Sequence, residues 1–309
     1  MKKATTGGFR TLFQRSRGIV AVAVIVAVIA AGTTAAIILS QHSQRPVSQS
    51  AVHKAVERMT PPPAPPTAPA KSTQAVLAAV PLAFYDAVIA QLLDSSQLSP
   101  VNRWTIATPI DPLVGLYAQP TPGAIPIAAI GQLVPTVNTP TALAVFGQTG
   151  DMILVSTPSR KAVPGVVSPS APSSTFAWAR RADFTLSPAT RVVIVDGQTS
   201  TISIQDATGM MITSEVARLG SAADPTPSAT ASYIQSVYVD THVYYTKGHP
   251  ITLTGAHSPT IANYGGNSGL TALHFYPAPT GSSHGCVRVS AAMTAALALL
   301  PAGTAILFS

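Results

Sequence analysis

Proline and glycine divide the chain into short apolar runs from Trp104 onward, and this pattern limits what the chain can fold into. The runs VGLYAQ, PIAAIGQ, ALAVFGQ and MILVST have the length of strands, and Thr149-Gly150-Asp151 is a turn signal between two of them. Apolar runs of this length, bounded by turn residues, favour strands over helices. The sequence therefore predicts a small all-β module over residues 101–185.

The strand pattern continues through the C-terminal part of the chain. RVVIVD, a turn at Asp196-Gly197, STISIQ and MMITSEVARLG follow one another, and the helix-like run AAMTAALALL precedes a final strand, TAILFS. Alternating short runs with only one helical segment indicate a mainly β fold. Residues 186–309 are predicted to form a second β domain with a helix near its end.

Residues 19–39 (IVAVAVIVAVIAAGTTAAIIL) carry no charge and have the length of a transmembrane helix. Basic residues precede this run and no comparable cluster follows it, so we expect residues 1–18 to form a basic cytoplasmic tail and the rest of the chain to be extracytoplasmic. The alternative is a cleaved signal peptide, although its apolar core usually spans only about 7–15 residues.

Two connecting segments are predicted after the apolar run. Residues 40–73 include TPPPAPPTAPAK, which favours an extended polyproline II linker. Residues 74–100 are predicted to be a helical spacer because apolar side chains recur there at helical spacing. These side chains are Val76, Val80, Phe84, Val88 and Leu92.

The charge of the chain excludes some classes of partner. It carries 18 basic and 11 acidic residues, a formal net charge of +7, but the basic residues are scattered and form no single stripe. A nucleic-acid-binding surface is therefore not expected, whereas a mildly basic surface suits an anionic polymer. The histidines lack Cys, Asp or Glu partners at metal-ligand spacing, so we expect no metal and no cofactor.

The single cysteine, Cys286, stands in Ser282-Ser283-His284-Gly285-Cys286-Val287-Arg288. An imidazole near a thiol can take its proton and make it a nucleophile, and a preceding glycine lets the backbone approach a substrate. A cysteine can equally be a small buried hydrophobic residue, and residue type alone does not choose between these readings.

The stretch SSHGCVRV resembles the active-site signature of the L,D-transpeptidases, the YkuD family. Weaker similarity lies in Leu219-Gly220 with Asp224-Pro225-Thr226-Pro227-Ser228, and in Leu273-His274. The resemblance covers Ser187 to Ser309 and implies a β-sandwich catalytic domain there. Separately, residues 101–185 resemble a bacterial SH3-like β-barrel, because Trp178 in FAWARRADF is similar to the strand-closing Trp of such modules.

The resemblance implies a role for each matched residue. Cys286 would be the nucleophile and His274 its general base, oriented by the backbone carbonyl of Phe275. The remaining matched residues would form the oxyanion hole (Gly285 with Cys286), shape the loop (Ser283, His284) and support that loop or meet a substrate carboxylate (Arg288). One of four tyrosines, Tyr238, Tyr244, Tyr245 or Tyr264, could stand near the oxyanion site.

One spacing departs from the family pattern. Only eight residues separate His274 from Ser283, whereas the family usually has about 14–17 at this point, and such spacings are part of a motif. His257 in GAHSP is the alternative general base. His274 is preferred because it follows a strand-like segment and precedes a turn-rich one.

The function implied is formation of peptidoglycan cross-links by acyl transfer through a Cys286 thioester. The implied partners are donor and acceptor stem peptides of the cell wall, with acylation by carbapenem-type β-lactams. Two alternatives stay open: a non-catalytic wall-binding scaffold with a degenerate site, and a cysteine peptidase or amidase that hydrolyses stem peptides.

Overall fold

The structure, a computed structural model, describes residues 67–98, 102–135, 137–166, 168–264, 269–278 and 280–309. The predicted cytoplasmic tail (1–18), the transmembrane run (19–39) and most of the linker (40–73) lie outside these residues. Within the described ranges, no helix is both long enough and apolar enough to cross a bilayer.

Eighteen strands and two α-helices, with three short 3₁₀ turns between them, make up the described elements. The helices are α1 Gln74–Ala78 and α2 Ala291–Ala298. The strands are β1 Leu93–Asp94, β2 Thr105–Pro109, β3 Leu113–Tyr117, β4 Ala128–Gly131, β5 Leu133–Val134, β6 Thr139–Pro140, β7 Leu143–Thr149, β8 Met152–Thr157, β9 Thr175–Arg180, β10 Phe184–Pro188, β11 Arg191–Asp196, β12 Thr201–Asp206, β13 Met211–Val216, β14 Thr230–Tyr238, β15 Ile251–His257, β16 Leu270–Phe275, β17 Val287–Val289 and β18 Ala305–Phe308. The mainly β prediction is confirmed.

The strands form two large sheets. The first has the order β10-β2-β7-β8-β9-β3-β4, with β1 on β9, and the second has the order β13-β12-β11-β18-β14-β15-β16-β17. Strand β8 is buried along its whole length and β11 along half of it, because uninterrupted runs such as MILV and VVIV place apolar side chains on both faces of a sheet. The C-terminal strand β18 lies in the middle of the second sheet, between β11 and β14.

The two sheets meet at a common hydrophobic core. The chain leaves the first sheet after Pro188 and enters the second at Arg191, close to the predicted boundary at 185/186. Tyr233 of β14 belongs to the same buried cluster as Phe176 of β9, and Val192, Ala231 and Ala305 of the second sheet belong to it as well. The halves are thus not independently packed. That the first sheet is SH3-like stays a prediction.

The predicted helical spacer over 74–100 is wrong for most of its length. Helix α1 ends at Ala78, because Pro81 has no N–H to donate and its ring is incompatible with a continuing helix. The following residues form turns at Tyr85–Asp86 and Ala90–Gln91 rather than a helix. Two isolated bridges join them to later residues of the chain, Leu82 with Ala129 and Val88 with Arg160. Leu92 is buried whereas Val88 is half exposed, so the apolar spacing does not mark one helical face.

Candidate active site

Two neighbouring parallel strands bring Cys286 and His274 onto one face of the second sheet. Leu273 pairs with Val287, and His274 pairs with Arg288. Because side chains alternate along a strand, Cys286, directly before β17, shares the face of Arg288 and His274. The strand spacing and rise place the Cα atoms of Cys286 and His274 about 8 Å apart. Cys286 is half-buried against the apolar cluster of Leu270 and neighbours.

His274 is the penultimate residue of β16, and its ring is held by the backbone. Its Nδ1 lies 2.8 Å from the carbonyl oxygen of Phe275, the contact that the resemblance implied. An Nδ1–H that donates to a carbonyl leaves the lone pair on Nε2, so this ring can accept a proton there. The ring of Tyr245 packs beside it, with the two ring centroids 5.4 Å apart.

Burial sets the protonation state of both groups. It raises the pKa of the Cys286 thiol, against the smaller opposing effects of a backbone hydrogen bond with Ala272 and of the Arg288 charge. Burial also lowers the pKa of His274, and the charges of Arg288 and Arg218 act in the same direction. At neutral pH the resting pair is therefore a thiol and a neutral imidazole, which suits general-base activation during attack.

The loop before Cys286 requires glycine at position 285. Gly285 has φ +95°, and a Cβ there would lie 3.2 Å from the carbonyl oxygen of Pro225 and 3.4 Å from Oη of Tyr264. Ser283 fixes the same loop, since its N–H donates to Leu219 at 2.8 Å and its hydroxyl donates to the carbonyl of Cys286. This geometry brings the backbone of Gly285 close to the thiol.

His284 contacts Asp224, whose part in the site was not predicted, and Tyr264, one of the four candidate tyrosines. Its exposed ring lies with Nδ1 2.7 Å from Oδ2 of Asp224, and its carbonyl accepts a hydrogen bond from Oη of Tyr264. Of the four candidate tyrosines, Tyr264 is thus the one beside Gly285. Asp224 belongs to the Asp-Pro-Thr-Pro stretch that carried part of the resemblance, and this stretch was the available sequence signal.

Arg288, paired with His274 across the two strands, lines a groove on the protein surface. Its Nη1 donates to the carbonyl of Ser282 at 2.8 Å, and its guanidinium lies 3.9 Å from the ring centroid of Tyr276. Arg218 approaches the same ring, at 5.8 Å, and donates to the carbonyl of Tyr276. The groove has a volume of about 370 Å³ and includes both arginines and Tyr276 in its lining. No sequence pattern pointed to Arg218.

The alternative base, His257, lies elsewhere. It pairs with Leu270, at the opposite end of β16 from His274, and its Nε2 is 2.7 Å from the carbonyl of Tyr85. Burial, with the nearby Arg160 charge, lowers its pKa to about 3. Its ring therefore holds β15 against the turn at Tyr85, and the structure brings His274, not His257, onto the strand beside Cys286.

Comparisons with known proteins give partial likenesses only. No protein-family model matches this sequence, and no curated protein matches it. Among solved structures, the chain is similar to an L,D-transpeptidase from Stackebrandtia nassauensis, with 20% identity, a TM-score of 0.28, and coverage of 39% of this chain and 55% of that one. The chain thus spans about half the length of that protein.

Two further solved structures show a similar degree of likeness. L,D-transpeptidase 1 of Mycobacterium tuberculosis is 15% identical over 43% of this chain and 77% of its own, with a TM-score of 0.27. An L,D-transpeptidase in complex with imipenem is 15% identical over 54% of this chain and 90% of its own, with a TM-score of 0.30. At these identities and TM-scores the likeness carries no argument about this chain, so any functional argument has to come from the residues of the site.

Proposed function

We propose that this protein is a cell-wall L,D-transpeptidase that forms peptidoglycan cross-links through a thioester on Cys286. The observation that carries the proposal is the placement of His274, whose Nδ1 is bound to the carbonyl of Phe275 on the strand beside Cys286. A nucleophile, a base and a group that orients the base make up the minimal set for covalent acyl transfer. The alternative base His257 is hydrogen-bonded elsewhere.

The first half of the reaction acylates the enzyme. Nε2 of His274 accepts the thiol proton as Sγ of Cys286 attacks the carbonyl carbon of the third residue of a donor stem peptide. The S–C bond forms, the C–N bond to the terminal D-residue breaks, and the proton passes from His274 to the leaving amine. Backbone N–H groups at Gly285 and Cys286 would stabilise the oxyanion, because a positive φ at Gly285 exposes this turn of backbone to the substrate.

The second half transfers the acyl group. A side-chain amine of an acceptor stem attacks the thioester, the new C–N bond forms as the S–C bond breaks, and the released proton returns to sulfur through His274. If water attacked instead, the same site would hydrolyse stem peptides. Neither half of the proposed reaction requires a metal or a cofactor.

The proposed location follows from the same substrate. Stem peptides lie outside the cytoplasmic membrane, and residues 19–39 would anchor the chain there with the two sheets on the wall side. The Pro-rich stretch within 40–73 would keep the sheets away from the bilayer. This part of the proposal depends on the sequence alone.

Intact-protein mass spectrometry of the full-length chain in detergent, after incubation with a carbapenem, tests the proposal. We expect the mass to increase by that of one whole carbapenem, since the lactam C–N bond opens without loss of atoms. Cys286→Ala should give no adduct, and Val88→Ala, which changes a half-exposed residue outside the site, should give the wild-type adduct.

A wild-type protein that is folded and yet forms no adduct would favour the scaffold alternative. Defined donor peptides, supplied with and without an acceptor amine, then distinguish a transpeptidase from a peptidase or amidase. A cross-linked product supports transfer, whereas a shortened donor alone identifies a peptidase.

A further inference from the structure

Three side chains form a row across the face that carries Cys286. Arg288 pairs with His274 on one side, in the parallel ladder of β16 and β17. On the other side it pairs with Arg218, where the two backbones exchange hydrogen bonds of 2.9 and 3.0 Å. Directly opposed residues in such a ladder project to the same face, so the order across the sheet is Arg218, Arg288, His274.

The two guanidinium groups are held in place by neutral groups. The carbonyls of Tyr276 and Ser282 each accept one hydrogen bond, and both charges approach the ring of Tyr276. Over the described residues, neither arginine has a carboxylate within 4.0 Å. Glu215, the acidic residue in the groove lining, is bound to the N–H and hydroxyl of Ser290 at the start of α2.

Two like charges beside one ring repel each other, and an anion between them would relieve that repulsion. Guanidinium groups bind carboxylates with paired, directional hydrogen bonds, and orientation by fixed carbonyls reduces the entropy lost on binding. Nε of Arg288 is a buried donor without a partner in the described part of the chain. The groove beside the pair is open to a ligand of peptide size.

We propose that Arg218 and Arg288 form a carboxylate subsite that binds the free C-terminal carboxylate of the residue released in the acylation step. This inference rests on the proposed function. The carboxylate of a terminal residue is only a few bonds from the scissile carbonyl, and Arg288 lies two residues after Cys286 on the same face. Arg218 is then a specificity-determining residue: donors that end in a free acid one residue past the scissile bond are accepted, and amidated donors are poor substrates.

Alkylation of Cys286 tests the subsite without using the reaction. Iodoacetate carries a carboxylate and iodoacetamide does not, so the ratio of their rates at one pH cancels the thiolate fraction. We expect the ratio of the iodoacetate rate to the iodoacetamide rate to be about tenfold higher for Cys286 in the wild-type full-length chain than for a small free thiol. Arg218→Gln should lower this ratio by about three- to tenfold. Arg218→Lys should lower it by less, because lysine keeps the positive charge but lacks the paired N–H donors of a guanidinium group.

Arg181→Gln is the matched control, because Arg181 is an exposed arginine in the 3₁₀ turn between β9 and β10 and its loss should leave the ratio unchanged. Acetate should protect the wild-type thiol against iodoacetate in proportion to its occupancy of the subsite. A wild-type ratio equal to that of the free thiol overturns the proposal even if the Arg218 variants do not fold.

Donor peptides that end in a free acid or a carboxamide connect the subsite to turnover. We expect acylation by the acid to be about a hundredfold faster, with most of this preference lost in Arg218→Gln. Equal rates with both donors, in an enzyme that a carbapenem still acylates, reject the subsite and leave the transpeptidase proposal standing. Absence of any acylation of Cys286 rejects the transpeptidase proposal, and the ratio of alkylation rates then tests only whether the two arginines bind an anion.

Discussion

At the scale of single residues, the candidate site combines a half-buried thiol with a buried imidazole, both neutral at pH 7. Desolvation raises the pKa of Cys286 and lowers that of His274. An ion pair would need the opposite shifts, as at cysteines placed beside a charged imidazole. In the proposed mechanism the thiol therefore loses its proton as it attacks, and His274 has to be unprotonated to accept that proton.

The pH dependence of alkylation distinguishes a neutral thiol–imidazole pair from a thiolate–imidazolium ion pair. We expect the rate of Cys286 alkylation by iodoacetamide to rise with a pKa above the ordinary 9.0 of a thiol, with no plateau near neutrality. Carbapenem acylation, which uses His274, should lose rate only below pH 6.5, because that histidine's pKa lies below its ordinary value. A thiolate plateau at pH 5–7 would contradict the neutral pair.

Gly285 gives a second prediction at this scale. Gly285→Ala places a methyl group 3.2 Å from the carbonyl oxygen of Pro225, at a backbone φ of +95°. We expect carbapenem acylation to slow by about a hundredfold, the usual effect of displacing one oxyanion donor. Gly209→Ala, a positive-φ glycine with open space around it, controls for backbone strain and should retain acylation.

At the scale of elements, the parallel ladder of β16 and β17 decides the site. A shift of one residue in either strand would move Cys286 or His274 to the other face, because side chains alternate. The ladder between Arg218 and Arg288 and the bridge between Gly220 and Ser283 hold this register from the other side. Because β16 and β17 are parallel, the connection between them has to return along the sheet before β17 begins. It can be short because β17 has only three residues.

The non-helical segment after α1 allows a separate prediction about stability. Leu92 is buried in the first sheet's core and Val88 is half exposed, whereas a helix with the predicted stripe would bury both. Leu92→Ala should lower the free energy of unfolding by about 2–5 kcal/mol. Val88→Ala should change it by about 0.5 kcal/mol or less. Urea denaturation of both variants measures this difference, and equal losses would restore the helical interpretation.

At the scale of the whole molecule, the two sheets share one core. Tyr233, fully buried in β14, packs with residues of both sheets. An added Cβ on Gly303, beside β18, would meet Ile106 of β2 at 2.5 Å. Separating the halves would expose these surfaces to water, so their folding should be coupled.

This coupling predicts a single unfolding transition. Trp104 and Trp178 lie in or beside the first sheet, and Cys286 lies in the second. We expect tryptophan fluorescence and the exposure of Cys286 to a thiol reagent to change at the same urea concentration. Two separated midpoints would show that the sheets are autonomous domains.

The sequence by itself determined the strand-rich fold, the helix before the last strand, and the group of residues around Cys286, because these depend on local alternation and on neighbours in the chain. It also placed His274 at a strand end beside the carbonyl of Phe275. Only the tertiary structure decided that His284 meets Asp224, 60 residues away, that Tyr264 is the tyrosine beside Gly285, and that Arg218 lies next to Arg288. These contacts come from strand pairing between distant segments, which local patterns do not encode. Such pairing also keeps the segment after Pro81 from forming a helix, since backbone hydrogen bonds to Ala129 and Arg160 outweigh its helical apolar spacing.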